Sequence, residues 1–68
     1  MSYYISILDE VNKLGEISIE HLSKTFGLTY TRTEYLVNKG ISDGYLERFV
    51  NGSEIRVKPR HTTKYKTI

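Results

Sequence analysis

The stretch FGLTYTRTEYLVNKGISDGYL, Phe26 to Leu46, decides how the rest of the chain is read. Its second half is a helical ladder. Thr33, Leu36, Val37, Gly40 and Ile41 recur at spacings of three and four, which puts them on one inward stripe of a helix. Thr29 or Thr31 can cap that helix, and Gly44 supplies its stop. The opposite face then holds Thr31, Arg32, Tyr35, Asn38, Lys39 and Ser42. An ordinary solvated face is richer in Glu and Lys, since Tyr and Thr are poorer helix formers. This helix spends hydroxyls, phenols and a guanidinium where none is needed for folding.

Upstream, Tyr4, Ile7, Leu8, Val11 and Leu14 form a second apolar stripe, predicting a first helix over about 3–14. Ser2 stands at its N-cap position and Gly15 just past its end. Ile19, Leu22 and Phe26, after a capping Ser18, predict a short helix over about 19–25 that Gly27 breaks. Two helices joined by a tight turn containing glycine make a helix-turn-helix arrangement. Downstream, the β-prone runs Tyr45–Val50 and Ser53–Lys58 flank Asn51-Gly52, a strong hairpin signal. A two-residue loop pairs Leu46 with Val57 and Arg48 with Ile55. A three-residue loop pairs Phe49 with Ile55 instead. Pro59, with no N–H to donate, is expected to end the pairing.

The order helix, helix-turn-helix, hairpin resembles the winged helix-turn-helix superfamily over residues 3–58. The residues that carry the likeness are ISIEHLSKTFGLTYTRTEYLVNKGISDGYLERFVNGSEIRV, with FGL at the turn and Asn-Gly in the wing. The resemblance implies an α+β fold of three helices with a C-terminal two-stranded β-hairpin wing over residues 1–58. Residues 59–68 follow as a basic tail. The small size is similar to stand-alone members from archaea, their viruses and phages.

The resemblance also implies DNA as the partner, because the N-terminal part of such a third helix enters the major groove. Arg32 suits guanine O6 and N7, and Asn38 suits adenine. Thr29, Tyr30, Thr31 and Tyr35 offer hydroxyls to phosphate, and Lys39 a charge. On the wing, Asn51, Gly52 and Ser53 form the tip, with Arg48, Arg56 and Lys58 on its strands. Glu34 is discordant beside phosphate, and is expected to point away or to pair with Asn38 or Arg32. Glu47 and Arg56 can pair across the strands. The acids Asp9, Glu10, Glu16 and Glu20 are expected on the side away from DNA.

Charge supports a polyanionic partner unevenly. The 68-residue chain carries +2, with residues 1–57 at −2 and residues 58–68, through Lys58, Arg60, Lys64 and Lys66, at +4. A basic terminus of this kind suits phosphate. Tyr3 and Ile5 lie off the first helix's main stripe and suit either a second copy of the chain or the monomer's own core. Two readings compete with DNA regulation. A winged helix can serve as a protein-interaction module, with tyrosines as anchors, or bind RNA by stacking through Tyr30, Tyr35 or Tyr65.

Enzymatic and metal chemistry find no support. There is no cysteine. The two histidines, His21 and His61, are far apart, and no nucleophile–base pair or phosphate-binding glycine motif occurs. No cofactor, metal or small-molecule ligand is expected. No apolar run approaches the roughly 18 residues of a membrane span, and the N-terminus lacks the features of a signal peptide. The expectation is a soluble cytoplasmic protein.

Overall fold

The computed structural model describes residues 2–60. Three helices, α1 (Tyr3–Leu14), α2 (Ile19–Phe26) and α3 (Tyr30–Ser42), pack with three strands, β1 (Ile17–Ser18), β2 (Leu46–Asn51) and β3 (Glu54–Pro59). The strands form one antiparallel sheet in the order β1-β3-β2. No helix among the described residues is long and apolar enough to cross a membrane.

The core draws on every element. Helix α1 contributes Ile7, Leu8 and Val11. The β1–α2 segment contributes Ile17, Ile19 and Leu22. Helix α3 contributes Leu36 and Val37, and the sheet contributes Leu46 and Val57. Each such side chain, fully buried, is worth about 1.5–3 kcal/mol of hydrophobic stabilisation. The apolar stripes of the sequence are these contacts. Leu14 is the exception, half exposed at the end of α1.

Caps set where the helices begin. The Ser18 hydroxyl oxygen accepts from the His21 N–H at 3.1 Å, and the Thr29 hydroxyl oxygen accepts from the Arg32 N–H at 3.1 Å. Each satisfies a donor that the first turn otherwise leaves unpaired. Of the two candidate caps for α3, Thr29 is the one used. Thr33, fully buried, donates its hydroxyl to the Thr29 carbonyl at 2.9 Å, so it enters the core without an orphaned polar atom. Ser2 occupies the cap position of α1, but its side chain makes no capping bond. Between α2 and α3, Gly27 takes a left-handed φ of 66°. The N–H of Leu28 then reaches the Ser23 carbonyl at 2.9 Å, closing the turn as a Schellman motif.

The sheet departs from expectation in two ways. First, a third strand joins it. Ile17 and Ser18 pair with Val57 and Arg56, a bridge too short to leave any periodicity in sequence. Second, the hairpin register is neither of the two expected. Leu46 pairs with Pro59, Arg48 with Val57 and Asn51 with Glu54. The two-residue loop is therefore Gly52-Ser53, not Asn51-Gly52. Gly52 has φ 67°, and among the described residues only glycines have positive φ, so only the first central position of the turn is left-handed. That matches a type II′ turn, with glycine first, in place of the type I′ turn that Asn-Gly favours. Pro59 is itself the last paired residue of β3, and beyond it the Arg60 N–H donates to the Tyr45 carbonyl at 2.9 Å.

This register decides which way the wing residues face. Leu46, Arg48 and Val50 alternate onto the inner side of β2. Leu46 is buried and Val50 is 71% exposed, so the hairpin walks off the core as it extends.

Tyr3 and Ile5 do not share a surface. At about 100° per residue, positions two apart lie about 160° apart around the helix. Tyr3 leans edge-on against Phe26, ring centres 6.3 Å apart, while Ile5 is half exposed on the other flank.

Candidate nucleic-acid interface

Helix α3 turns Thr33, Leu36, Val37 and Gly40 inward. At about 100° per residue, Thr31, Tyr35, Asn38 and Ser42 form the row pointing directly outward. All four are exposed, Tyr35 by 61%. Arg32 and Lys39 flank this row on one side and Glu34 flanks it on the other. Tyr30, also exposed, stands at the first position of the helix.

The two flanks have different neighbours. Lys39 is drawn toward α1, with its ammonium 5.2 Å from the centre of the Tyr4 ring and 3.9 Å from Asp43. It is committed to that corner and does not extend along the outward row. The Tyr4 hydroxyl donates to Asp43 at 2.5 Å. Burial, and then this bond to a carboxylate, push the Tyr4 phenol well above its ordinary pKa. On the other flank Glu34 meets neither Asn38 nor Arg32 but Arg48 of β2, at 3.6 Å. The discordant acid thus ties the helix to the wing.

The remaining wing cations are also matched. Lys58 lies 3.8 Å from Glu47, its partner across the strands, and 5.2 Å over the Phe49 ring. Arg56 pairs with Glu54 at 2.7 Å and with Glu16 at 3.2 Å, replacing the expected Glu47–Arg56 pair. The register shift is the reason, since it sets Glu47 opposite Lys58. The hydrogen bond that Arg56 donates to Glu54, with the nearby charges of Glu54 and Glu16, raises the Arg56 pKa above its ordinary value. Glu16 is therefore not on a far side. Glu20 is not either, because it lines a furrow of about 130 Å³ between Tyr30 and the wing residues Ser53, Glu54 and Ile55. With two carboxylates on its walls, that furrow does not seat a phosphate.

Arg32 stands apart. Of the eight Lys and Arg among the described residues, six have a carboxylate within 4 Å, and Arg32 and Arg60 do not. The Arg32 guanidinium lies 5.8 Å over the Tyr35 ring instead. Stacking leaves the edge of the guanidinium, where its donors are, free to meet an acceptor pair. No group of His, Cys, Asp or Glu able to hold a metal occurs among the described residues. Lys64 and Lys66 lie outside them, as do His61 and Tyr65.

No protein-family model matches the chain, and no curated protein matches its sequence. Among solved structures it is similar to a mutant of MarR from E. coli complexed with operator DNA. The TM-score is 0.82 and the identity 16%, covering 96% of this chain and 49% of that one. The chain has the winged helix-turn-helix fold. It spans about half the length of the MarR chain it matches. In this winged helix, α2 and α3 are the helix-turn-helix, β2 and β3 the wing, and β1 the short strand that joins the wing to the helices.

The winged-helix framework accounts for the placement of the predicted residues. Thr31, Arg32, Tyr35 and Asn38 come together on one outward surface. Asn51, Gly52 and Ser53 are exposed at the wing tip. Lys39, Arg48, Arg56 and Lys58 are near, yet each is held by a carboxylate. Thr29 serves first as the cap of α3. The long-range partners Glu34, Glu16 and Asp43 had no signal in sequence, since nothing local links them to Arg48, Arg56 and Tyr4.

Proposed function

We propose that this chain binds double-stranded DNA sequence-specifically, as a small transcriptional regulator. Helix α3 enters the major groove, where Arg32 makes a bidentate contact with a guanine. Thr31, Tyr35 and Asn38 flank that contact on neighbouring bases and phosphates. The wing tip at Asn51, Gly52 and Ser53 lies along the backbone, and the basic residues from Arg60 through Lys64 and Lys66 add phosphate contacts. Two copies, joined along α1 at Ile5, would present two such helices to successive half-sites.

The observation that carries this reading is the Arg32 side chain. It is an exposed guanidinium with no carboxylate partner among the described residues, beside the outward row of α3. The fold itself is shared with a MarR chain complexed with operator DNA.

A mobility-shift titration of the wild type and Arg32→Ala tests it, on a duplex from upstream of the chain's own gene and at two salt concentrations. The wild type is expected to bind, more weakly at high salt. Arg32→Ala is expected to lose about 1–3 kcal/mol on that duplex, a five- to hundredfold drop, with little change on unrelated DNA. A wild type that binds no duplex at micromolar concentration would point to the protein-interaction reading. The eight-to-eight balance of charges in the described body gives that reading its support.

A further inference from the structure

Four ion pairs on the wing share a property that stability does not explain. Glu34 on Arg48 joins α3 to β2, Glu47 on Lys58 joins the two wing strands, and Glu16 with Glu54 on Arg56 joins the β1 approach to β3. All are partly exposed, and exposed ion pairs contribute little to folding. Yet together they cancel every cation of the described wing strands, Arg48, Arg56 and Lys58.

Sequence-independent DNA affinity comes from cations meeting phosphates and releasing counterions. A guanidinium or ammonium with a carboxylate less than 4 Å away offers an approaching phosphate a dipole in place of a charge. The pairs also stand where DNA would be. Glu34 and Arg48 lie on the wing-side flank of α3, next to the outward row of Thr31, Tyr35 and Asn38. Glu47 and Lys58 form the adjacent pair one step toward the root of the same hairpin, on its other face. Arg32, the reader on the opposite flank, is left uncancelled.

We infer that the wing carboxylates, Glu34 and Glu47 foremost, are specificity determinants that hold down binding to non-cognate DNA by neutralising Arg48 and Lys58. This rests on the DNA-binding reading above. Selectivity in a genome depends on the ratio of cognate to non-cognate affinity, not on affinity alone. A wing rich in free cations would gain most on non-cognate DNA, where no base contact fixes the register and the wing settles on whichever phosphates it reaches. A cancelled wing keeps the non-cognate floor low and leaves discrimination to the base contacts of α3.

The test uses Glu34→Gln, Glu47→Gln and the double variant, with Glu10→Gln as control. Glu10 pairs with Lys13 within α1 and not with a wing cation. Circular dichroism melts first establish that each variant is folded. Fluorescence anisotropy then measures binding to a mixed-sequence duplex, and to a duplex selected by the wild type from a random pool, at 50 and 200 mM salt. Each wing variant is expected to bind the mixed duplex more tightly at low salt. Each should also steepen the salt dependence by about 0.9, widening the ratio of affinities between the two salts about threefold, and about tenfold for the double variant. The ratio of selected to mixed affinity should shrink in step, and Glu10→Gln should match the wild type.

A wild type that binds the selected duplex, with wing variants whose salt slope and mixed-duplex affinity match its own, overturns the inference while leaving DNA binding intact. So does an equal rise with Glu10→Gln, which would mean that net charge alone is at work. A wild type that binds neither duplex at 50 mM salt removes the DNA-binding reading, and this inference with it.

Discussion

The guanidinium of Arg32 rests 5.8 Å over the ring of Tyr35, one turn further along α3. Both side chains are exposed, so the contact narrows the conformations of a long side chain on an open surface. An exposed cation–π contact is worth about 0.5–1 kcal/mol. If Tyr35 aims Arg32, Tyr35→Ala should weaken binding to the selected duplex about two- to fivefold beyond its effect on mixed DNA. Tyr35→Phe, which keeps the ring, should restore that discrimination. Anisotropy titrations on both duplexes check this, and a Phe variant as impaired as Ala would assign the effect to the phenol hydroxyl.

Thr29 works on two scales. Its side chain caps α3 through the Arg32 N–H, and its carbonyl accepts from the buried Thr33 hydroxyl. Thr29→Ala removes the cap, at a cost of about 1 kcal/mol. In a domain of this size that corresponds to roughly 4–8 °C in Tm. A thermal melt measures it. Thr29→Asp should recover most of the loss, since a carboxylate also caps and suits the positive end of a helix.

Gly40 lets α3 pack closely against Leu46 and Leu8. A Cβ added there would stand 2.8 Å from Leu46 Cδ1, 3.1 Å from Leu46 Cγ and 3.2 Å from Leu8 Cδ2. Both leucines are fully or almost fully buried, so neither can swing aside. Helix propensity alone favours Gly40→Ala by about 1 kcal/mol, and overpacking opposes it by about 1–3 kcal/mol. The expected outcome is net destabilisation of about 1 kcal/mol, read as a lower urea midpoint with an unchanged slope. Gly40→Val should be worse.

The Tyr4–Asp43 corner makes stability depend on pH at the alkaline end. Burial, followed by the bond to Asp43, raises the folded-state pKa of Tyr4 above the unfolded value of about 10. The folded state thus holds a proton that the unfolded state gives up. The stability this contributes is fully present below about pH 10 and is lost as pH rises from there toward the folded-state pKa. Tyr4→Phe should be less stable near neutrality and should lose less stability above pH 10. Urea titrations across that range, wild type against Tyr4→Phe, measure the difference in slope.

The helices were legible because periodicity and caps are local. Ile7, Leu8 and Val11, then Leu36, Val37 and Gly40, announce buried faces without knowledge of what covers them. The outward row of α3 follows from the same pattern by subtraction. What Asn51-Gly52 could not disclose is the register, because a hairpin loop is settled by both strands together. Leu46 and Val57 share the core face both in the expected Leu46–Val57 register and in the observed one, so the apolar pattern does not choose between them, and the strands settle with Leu46 opposite Pro59 and the loop at Gly52-Ser53. That slip carried Glu47 from Arg56 to Lys58. The contacts Glu34–Arg48, Glu16–Arg56 and Tyr4–Asp43 join distant parts of the chain, and no residue spacing encodes them.

The two-residue strand β1 has a mechanical meaning. It grips β3 at Arg56 and Val57 and reaches no further, while β2 and β3 continue to Asn51 and Glu54. The hairpin is a beam clamped at its root and overhanging at its end. The distance from Arg32 to the root is set like a fixed gauge, whereas the last residues can flex to meet an uneven surface without disturbing α3.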